Sequence, residues 1–394
     1  MSTQPATTND PPRVLFLGHD ASRTGAPLLL LALIRWLRAH SDVIPSVVLL
    51  AGGEMETQYR ELAATARHDL LRDAMNRGLG RKVLRHLGWM GLRTPDLAAS
   101  YPPQGYPVVY ANTIATLPVA AQLAGPGRRV VLHVHELAYT TDYYAARELL
   151  RSSVAAVDVY IAASHAVREF LATDLGIPAP RIQVIHDFPV VTADEANRER
   201  QRTALRRQLG ISDEAFVVGM CGWPQWRKGV DLFVQLADHL QRSPRPVACH
   251  CVWVGGDRQS QATALHDVAK LGLQRVCHFV PAVSDPAACF SAFDLFALTS
   301  REDPFSVAML EAADHRLPVI CFAQAGGAPE LVEEDAGVVV PYLNISAMAK
   351  ACVDLMGNDV VRHRLGENAR AKVRSRYSLD VQGPKFLDLL RSLS

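Results

Sequence analysis

The pattern that most restricts the fold is a repeated unit: a short apolar run ending in a small or polar turn, then a stretch with helical periodicity. "RVLFLGHD" at residues 13–20 reads as a strand and "APLLLLALIRWLRAH" as the helix after it. "SVVLLAGG", "PVVYANT", "RVVLHVHE", "VYIAASHA" and "RIQVIHDFP" read as further strands with turn residues at their C-terminal ends. Apolar strands alternating with helices predict a parallel sheet covered on both faces. From residue 188 the runs give way to the charged, helix-prone "VVTADEANRERQRTALRRQLGISDE", and then the unit restarts with "FVVGMCG", "VACHCVWVGG", "VCHFV", "DLFALTS", "PVICFA" and "AGVVVP". This organisation predicts α/β domains at 13–187 and 214–377, a linker at 188–213, and a last helix at 378–394 that crosses back to the first domain. Paired domains of this kind bind ligands between the carboxyl ends of their two sheets.

Composition narrows the function. A length of 394 residues with 49% apolar and 21% charged content suits two or three globular domains. A net charge of +1 argues against a nucleic-acid binder, which would carry a basic excess. The start "MSTQPATTNDPP" lacks the basic and apolar regions of a secretion signal, and no apolar run approaches the roughly 18 residues of a membrane span, so a cytoplasmic protein is expected. The seven cysteines all fall in the second half, mostly inside apolar runs, as reduced core residues do. "CHC" at 249–251 lies in a strand pattern that would turn both cysteines to one face and His250 to the other, which speaks against a metal site.

Five segments at predicted strand ends carry candidate chemistry. In "TSREDPFSVAMLEA" (299–312), Asp303 followed by Pro304 reads as a helix N-cap with proline at N1. Glu311 resists that explanation, because Val307, Met309, Leu310, Ala312 and Ala313 surround it and a buried carboxylate needs a partner, whether a ligand or an ion pair. In "CGWPQWRKGVDLF" (221–233), Arg227 and Lys228 sit at a glycine-flanked turn where they would suit a diphosphate or stand solvated. "GHDASRTGAP" (18–27) leads Gly25 and Ala26 into a helix N-terminus, a favourable place for an anion, and "HVHEL" ends a strand on His135 and Glu136. Gly326 and Gly327 in "FAQAGGAPELV" (322–332) allow close backbone approach to a ligand.

In this order and spacing the segments resemble the retaining glycosyltransferases of family 4, whose GT-B fold sets two Rossmann-like parallel-sheet α/β domains face to face across a cleft. The family's E-x7-E motif reads here from Asp303 to Glu311, with Asp in place of the first Glu, and its "GGxPE" stretch reads "GGAPE" at 326–330. The resemblance implies that Glu311 holds the nucleotide ribose, and that Asp303, with Glu302, Gly326 and Gly327, holds the donor sugar. It further implies that the amides of Phe305, Ser306 and Val307 cradle the distal phosphate, and that Lys228 pairs with the diphosphate. Trp223 stands where the family has an arginine, and Arg227 is positioned to replace it. Gly25 and Ala26 match the N-terminal glycine loop of the donor site. His135 matches the histidine at the reacting centre, so His135, Asp303 and Lys228 form the expected catalytic set. The usual "NG" after the last N-terminal strand is replaced by His186 and Asp187.

The implied reaction moves a sugar from a nucleotide diphosphate sugar to an acceptor hydroxyl with retention. No cofactor or metal is expected, since no D-x-D triplet occurs. The acceptor would be a glycan or lipid-linked glycan in bacterial polysaccharide, glycolipid or cell-envelope synthesis. A nucleotide-sugar 2-epimerase of the same fold is the alternative, as is a silent sugar-nucleotide-binding scaffold, given Asp303 and Trp223. A phosphorylase would need a longer chain. Residues 67–93 place Arg67, Arg72, Arg77, Arg81, Lys82, Arg85 and Arg93 around an apolar stripe of Leu79, Val83, Leu87 and Met90. This is either a solvated helix face or a peripheral contact with the inner face of the membrane.

Overall fold

The computed structural model describes residues 11–69, 97–143, 146–283 and 286–394. The first sheet comprises β1 (Arg13–Gly18), β2 (Ile44–Leu49), β3 (Ala64–Arg67), β4 (Val108–Asn112), β5 (Arg129–Val134), β6 (Val159–Ala162) and β7 (Ile182–Val184). They pair in the order β3-β2-β1-β4-β5-β6-β7, every pair parallel. The second sheet comprises β8 (Phe216–Cys221), β9 (Cys249–Val254), β10 (Cys277–Val280), β11 (Leu295–Leu298), β12 (Val319–Phe322) and β13 (Gly337–Val340). Its order is β10-β9-β8-β11-β12-β13, again all parallel. The central strands β4 and β11 are buried along their whole length, as helices on both faces require. In each sheet the strand order reverses direction once, between β1 and β4 and between β8 and β11. The chain leaves the carboxyl ends of those strands on opposite sides of a crevice, where open α/β sheets bind ligands.

The sequence misses β3. "ATAR" is short and only half-buried, so it lacks the apolar signature of the other strands. In β9, Cys249 and Cys251 are buried and His250 is half-buried on the opposite face, where it meets His278 of β10 at 3.0 Å. All seven cysteines are free, and only Cys221 is not fully buried.

The charged segment after β7 contains a helix, Arg198–Gln208, that docks on the second domain. Its Arg206, buried, meets Asp294 at 2.7 Å and gives its remaining donors to the carbonyls of Ala292, Ser212, Asp213 and Ala215. The last helix, Leu379–Leu393, lies on the first domain. There Phe386 packs against Tyr110, His133 and Phe188, and Arg391 bonds Asp42. Of the basic stretch at 67–93, Arg67 bonds Glu56 and Asp69, and residues from 70 onward lie outside the described residues. Among the described residues, no helix is long and apolar enough to cross a membrane.

Candidate active site

On the second domain the site is built by the loops after β8 and β11. The Arg227 carbonyl accepts the Arg301 amide at 2.8 Å, and the Arg227 guanidinium donates to the Glu302 carbonyl at 2.8 Å, so the two loops are locked to each other. Between them Lys228 Nζ donates to Asp303 Oδ2 at 2.6 Å, Ser300 Oγ donates to the same oxygen at 3.0 Å, and Arg227 Nη1 lies 3.6 Å from Oδ1. Burial pushes the Asp303 carboxyl up, but the Lys228 and Arg227 charges and the bonds from Lys228 and Ser300 outweigh it and hold it below the ordinary carboxylate value. For Lys228 burial dominates and pulls the ammonium below its ordinary value, with Asp303 opposing. The two side chains form a close ion pair in which Asp303 is buried and Lys228 partly buried.

Asp303 is not the helix N-cap that its sequence suggests. Its amide bonds the Ala325 carbonyl at 2.7 Å and its carbonyl accepts the Gly327 amide at 3.1 Å, a parallel bridge that keeps the backbone extended. The helix begins at Val307, with Ser306 as its cap residue. The Ser306 hydroxyl is buried with no hydrogen-bond partner, beside amides that a helix start leaves unpaired. One turn on, Glu311 is buried, and its Oε1 accepts the Val191 amide at 3.1 Å from the linker.

On the first domain the site centres on the end of β5. His135 Nε2 lies 3.1 Å from Asn112 Oδ1, at the end of β4, and Nδ1 lies 3.3 Å from Asp187 Oδ2, past β7. Burial lowers the His135 basicity, but the Asp187 charge and hydrogen bond, with Glu136, overcome it and raise the imidazole above its ordinary value. Glu136 accepts the amides of His135 at 2.9 Å and Ile114 at 3.2 Å; burial nevertheless pushes its carboxyl up to about 7. Thr113, next to Asn112, holds φ at 84°, a costly conformation for a β-branched residue that marks a constrained corner of the cleft.

Contacts between the domains bring the two halves together. Glu302 accepts the Tyr139 amide at 2.9 Å, at the start of the helix Ala138–Tyr143. Glu330 accepts the amides of His165 and Ala166, both at 3.1 Å, and meets His186 Nε2 at 2.9 Å. Ser164 Oγ donates to the Pro304 carbonyl at 2.7 Å. A Cβ on Gly25 would lie 3.9 Å from Val307, so the N-terminal glycine loop faces the start of the Val307 helix. Gly25, Arg227, Lys228, Glu302, Asp303, Ser306, Val307, Gly326 and Gly327 therefore gather around one cleft, with the His135 strand end facing the Arg227 loop. Sequence reasoning assigned Glu302 to the sugar, whereas here its carboxylate spans the domains. It missed the bridging part of Glu330, because the partners are backbone amides more than a hundred residues away. Among the described residues, His133, His135 and Asp187, and separately His165, His186 and Glu330, each bring three ligand-type atoms within 4.8 Å. Both groups contain ion pairs internal to the chain.

Two parallel α/β domains whose switch points converge on one cleft, lined on the second domain by Arg227 and Lys228, define a GT-B architecture. Family models agree with it: "Glycosyltransferase Family 4" matches residues 23–188 and "Glycosyl transferases group 1" matches residues 201–372. The chain belongs to the group 1 glycosyltransferases of the GT-B fold. An alpha-D-kanosaminyltransferase of Streptomyces kanamyceticus is 24% identical over 91% of this chain and 90% of its own length. A D-inositol 3-phosphate glycosyltransferase of Xylanimonas cellulosilytica is 28% identical over 60% of this chain and 57% of its own. Among solved structures, Anabaena HepE in complex with UDP and glucose superposes with a TM-score of 0.77 at 22% identity, covering 96% of this chain and 99% of that one.

Proposed function

We propose that this glycosyltransferase moves a sugar, with retention and without a metal ion, from a nucleotide diphosphate sugar to an acceptor hydroxyl in glycan synthesis. The observation that carries the reading is the ion pair of the partly buried Lys228 with the buried Asp303, with Arg227 beside it, at the β8/β11 switch point and across the cleft from His135. A diphosphate entering there competes with Asp303 for two cations, gains donors from the Ser306 hydroxyl and the first helical amides, and frees the Asp303 carboxylate for a sugar hydroxyl. As the bond from the anomeric carbon to the phosphate oxygen breaks, its electron pair leaves with the diphosphate. The growing negative charge is offset by Lys228 and Arg227 inside a water-poor cleft. The acceptor oxygen attacks on the same face and its proton passes to the departing phosphate. Closure by Glu302 and Glu330 limits donor hydrolysis.

UDP-sugars are the first donors to screen, because HepE was solved with UDP-glucose. A donor that binds the native state raises the melting temperature, and purified enzyme should hydrolyse that donor slowly. Absence of both responses across a panel of nucleotide sugars contradicts the reading. Excess chelator should change the rate by less than about twofold, roughly 0.4 kcal/mol in barrier; loss of activity restored by magnesium or manganese contradicts metal independence.

The roles of the two motif carboxylates separate on the bare nucleotide. Glu311→Ala should weaken nucleotide diphosphate binding by about tenfold, the loss of a charged hydrogen bond worth roughly 1.5 kcal/mol, while Asp303→Ala changes it less. Calorimetric titration of UDP into both variants checks this, and equal losses would count against the assignment.

A further inference from the structure

We propose that Asp187 is a positioning residue that holds His135 as a doubly protonated imidazolium, so the cleft presents a fixed positive charge there and no base. The inference rests on the transferase reading for its kinetic consequence but not for the protonation state itself.

The argument begins at Asn112. Its Nδ2 donates at 3.0 Å to the Ala26 carbonyl, an atom that can only accept, and this fixes which way the amide points. Oδ1 therefore faces His135 Nε2, and since a carbonyl oxygen only accepts, Nε2 must carry a hydrogen. On the other side Nδ1 faces the Asp187 carboxylate, another acceptor, and must carry one too. A ring flanked by acceptors at both nitrogens is an imidazolium.

The groups that face it from neighbouring elements fit this assignment. His133, on β5, lies with its ring 3.8 Å from that of His135 and shares a 2.6 Å bond between Nδ1 and the Tyr110 hydroxyl. Burial, followed by the charge of His135, holds it well below its ordinary value, so it stays neutral. Its Nε2 has no hydrogen-bond partner and lies 3.7 Å from Asp187 Oδ1, which has none either, so Asp187 sits between two imidazoles with only one of them charged. Glu136 lies beside the His135 amide, and His19, with Asp20 next to it, comes from the loop after β1. From the last helix the Phe386 ring approaches His133. The carboxylates of Asp187 and Glu136 thus raise the His135 basicity above its ordinary value against burial, which the desolvated histidines around it cannot do. An imidazolium cannot accept the proton of the acceptor hydroxyl, and this leaves the departing phosphate as its destination.

The sign of the pH dependence follows. The folded pKa of His135 lies above the unfolded value, so its stabilising pairing is complete below about 6.5 and is lost as pH rises through the folded value. In Asp187→Asn burial dominates, and the ring gives up its proton at lower pH. The alkaline limb of kcat/KM should move down by on the order of one pH unit, with a loss that approaches about tenfold on the alkaline side, at pH 8 and above, and a smaller loss at pH 6. A structural role alone would lower Tm and leave the shape of the pH profile unchanged, and that result overturns the proposal. Should the variant not fold, the parent decides. With histidine labelled by nitrogen-15 and the His135 signals identified by their loss in His135→Asn, both ring nitrogens should read as protonated at pH 7.5. One unprotonated nitrogen overturns the assignment. The NMR measurement needs no donor, so it stands even if no nucleotide sugar is turned over and the transferase reading fails.

Discussion

Lys228→Ala should lower kcat/KM for sugar transfer by on the order of 10²–10³-fold, the loss seen when one preorganised donor to a developing oxyanion is removed. The expectation comes from the partial burial of the Lys228 side chain beside the buried Asp303, which keeps its interaction with the leaving diphosphate strong because screening by water is reduced. The loss should appear in kcat as well as in donor affinity, because the charge that Lys228 offsets grows as the bond breaks. Part of the effect could come from Asp303, left buried with Arg227 at 3.6 Å and the Ser300 hydroxyl. Lys228→Arg separates the two contributions, since it keeps the charge and the ion pair but changes the shape of the donor. It should recover stability in full and turnover in part. Unchanged kinetics in Lys228→Ala would remove the residue from the diphosphate site.

The second large effect is expected at Gly326. Its φ is +122°, a region that side chains rarely enter, and a Cβ built there would overlap the carbonyl oxygen of Asp303. That carbonyl belongs to the bridge that keeps Asp303 extended toward Lys228, so the clash displaces the ion pair itself. Gly326→Ala should cost on the order of 3 kcal/mol, from backbone strain together with overpacking. For domains of this size that corresponds to a drop in Tm of roughly 10 °C. Gly272 provides the control: it also has a positive φ, +71°, but a Cβ there meets nothing within 4 Å. Gly272→Ala should cost only about 1 kcal/mol, the conformational part alone. Equal losses at the two positions would mean that the contact with Asp303 contributes nothing.

Much of the architecture is readable from the sequence because buried parallel strands are apolar throughout, and RVLFLG, VVYAN and FVVGMC announce themselves without any knowledge of their neighbours. β3 does not, since an edge strand of four residues, one exposed and three half-buried, carries no such signature. The helix inside the charged segment was legible as a helix, but its docking was not: Arg206 looks like any surface arginine until Asp294 and four carbonyls converge on it. At the site the residues of the glycine-flanked turn at Arg227 and Lys228 and of the 303–311 motif carry enough local pattern to be chosen in advance. What surrounds them does not. Asp303 with Pro304 fits an N-cap by every local rule, and only the bridge to Gly326, twenty-three residues later, explains why the helix waits until Val307. Asp187 and Glu330 become meaningful through partners supplied by other strands and the other domain, namely His135 and the amides of His165 and Ala166. Long-range pairing of this kind leaves no periodicity in the chain.

The most direct test of the central claim is the configuration of the sugar that the enzyme releases from its donor. The purified protein, with excess chelator present, is supplied with each nucleotide diphosphate sugar in turn, and the first-formed sugar is followed by proton NMR before mutarotation mixes the anomers. A retaining, metal-independent transferase should release, from at least one donor, a sugar with the same anomeric configuration as that donor, at a rate that falls in Lys228→Ala. Release of the opposite anomer, or no release from any donor in the panel with or without added divalent metal, would contradict the account.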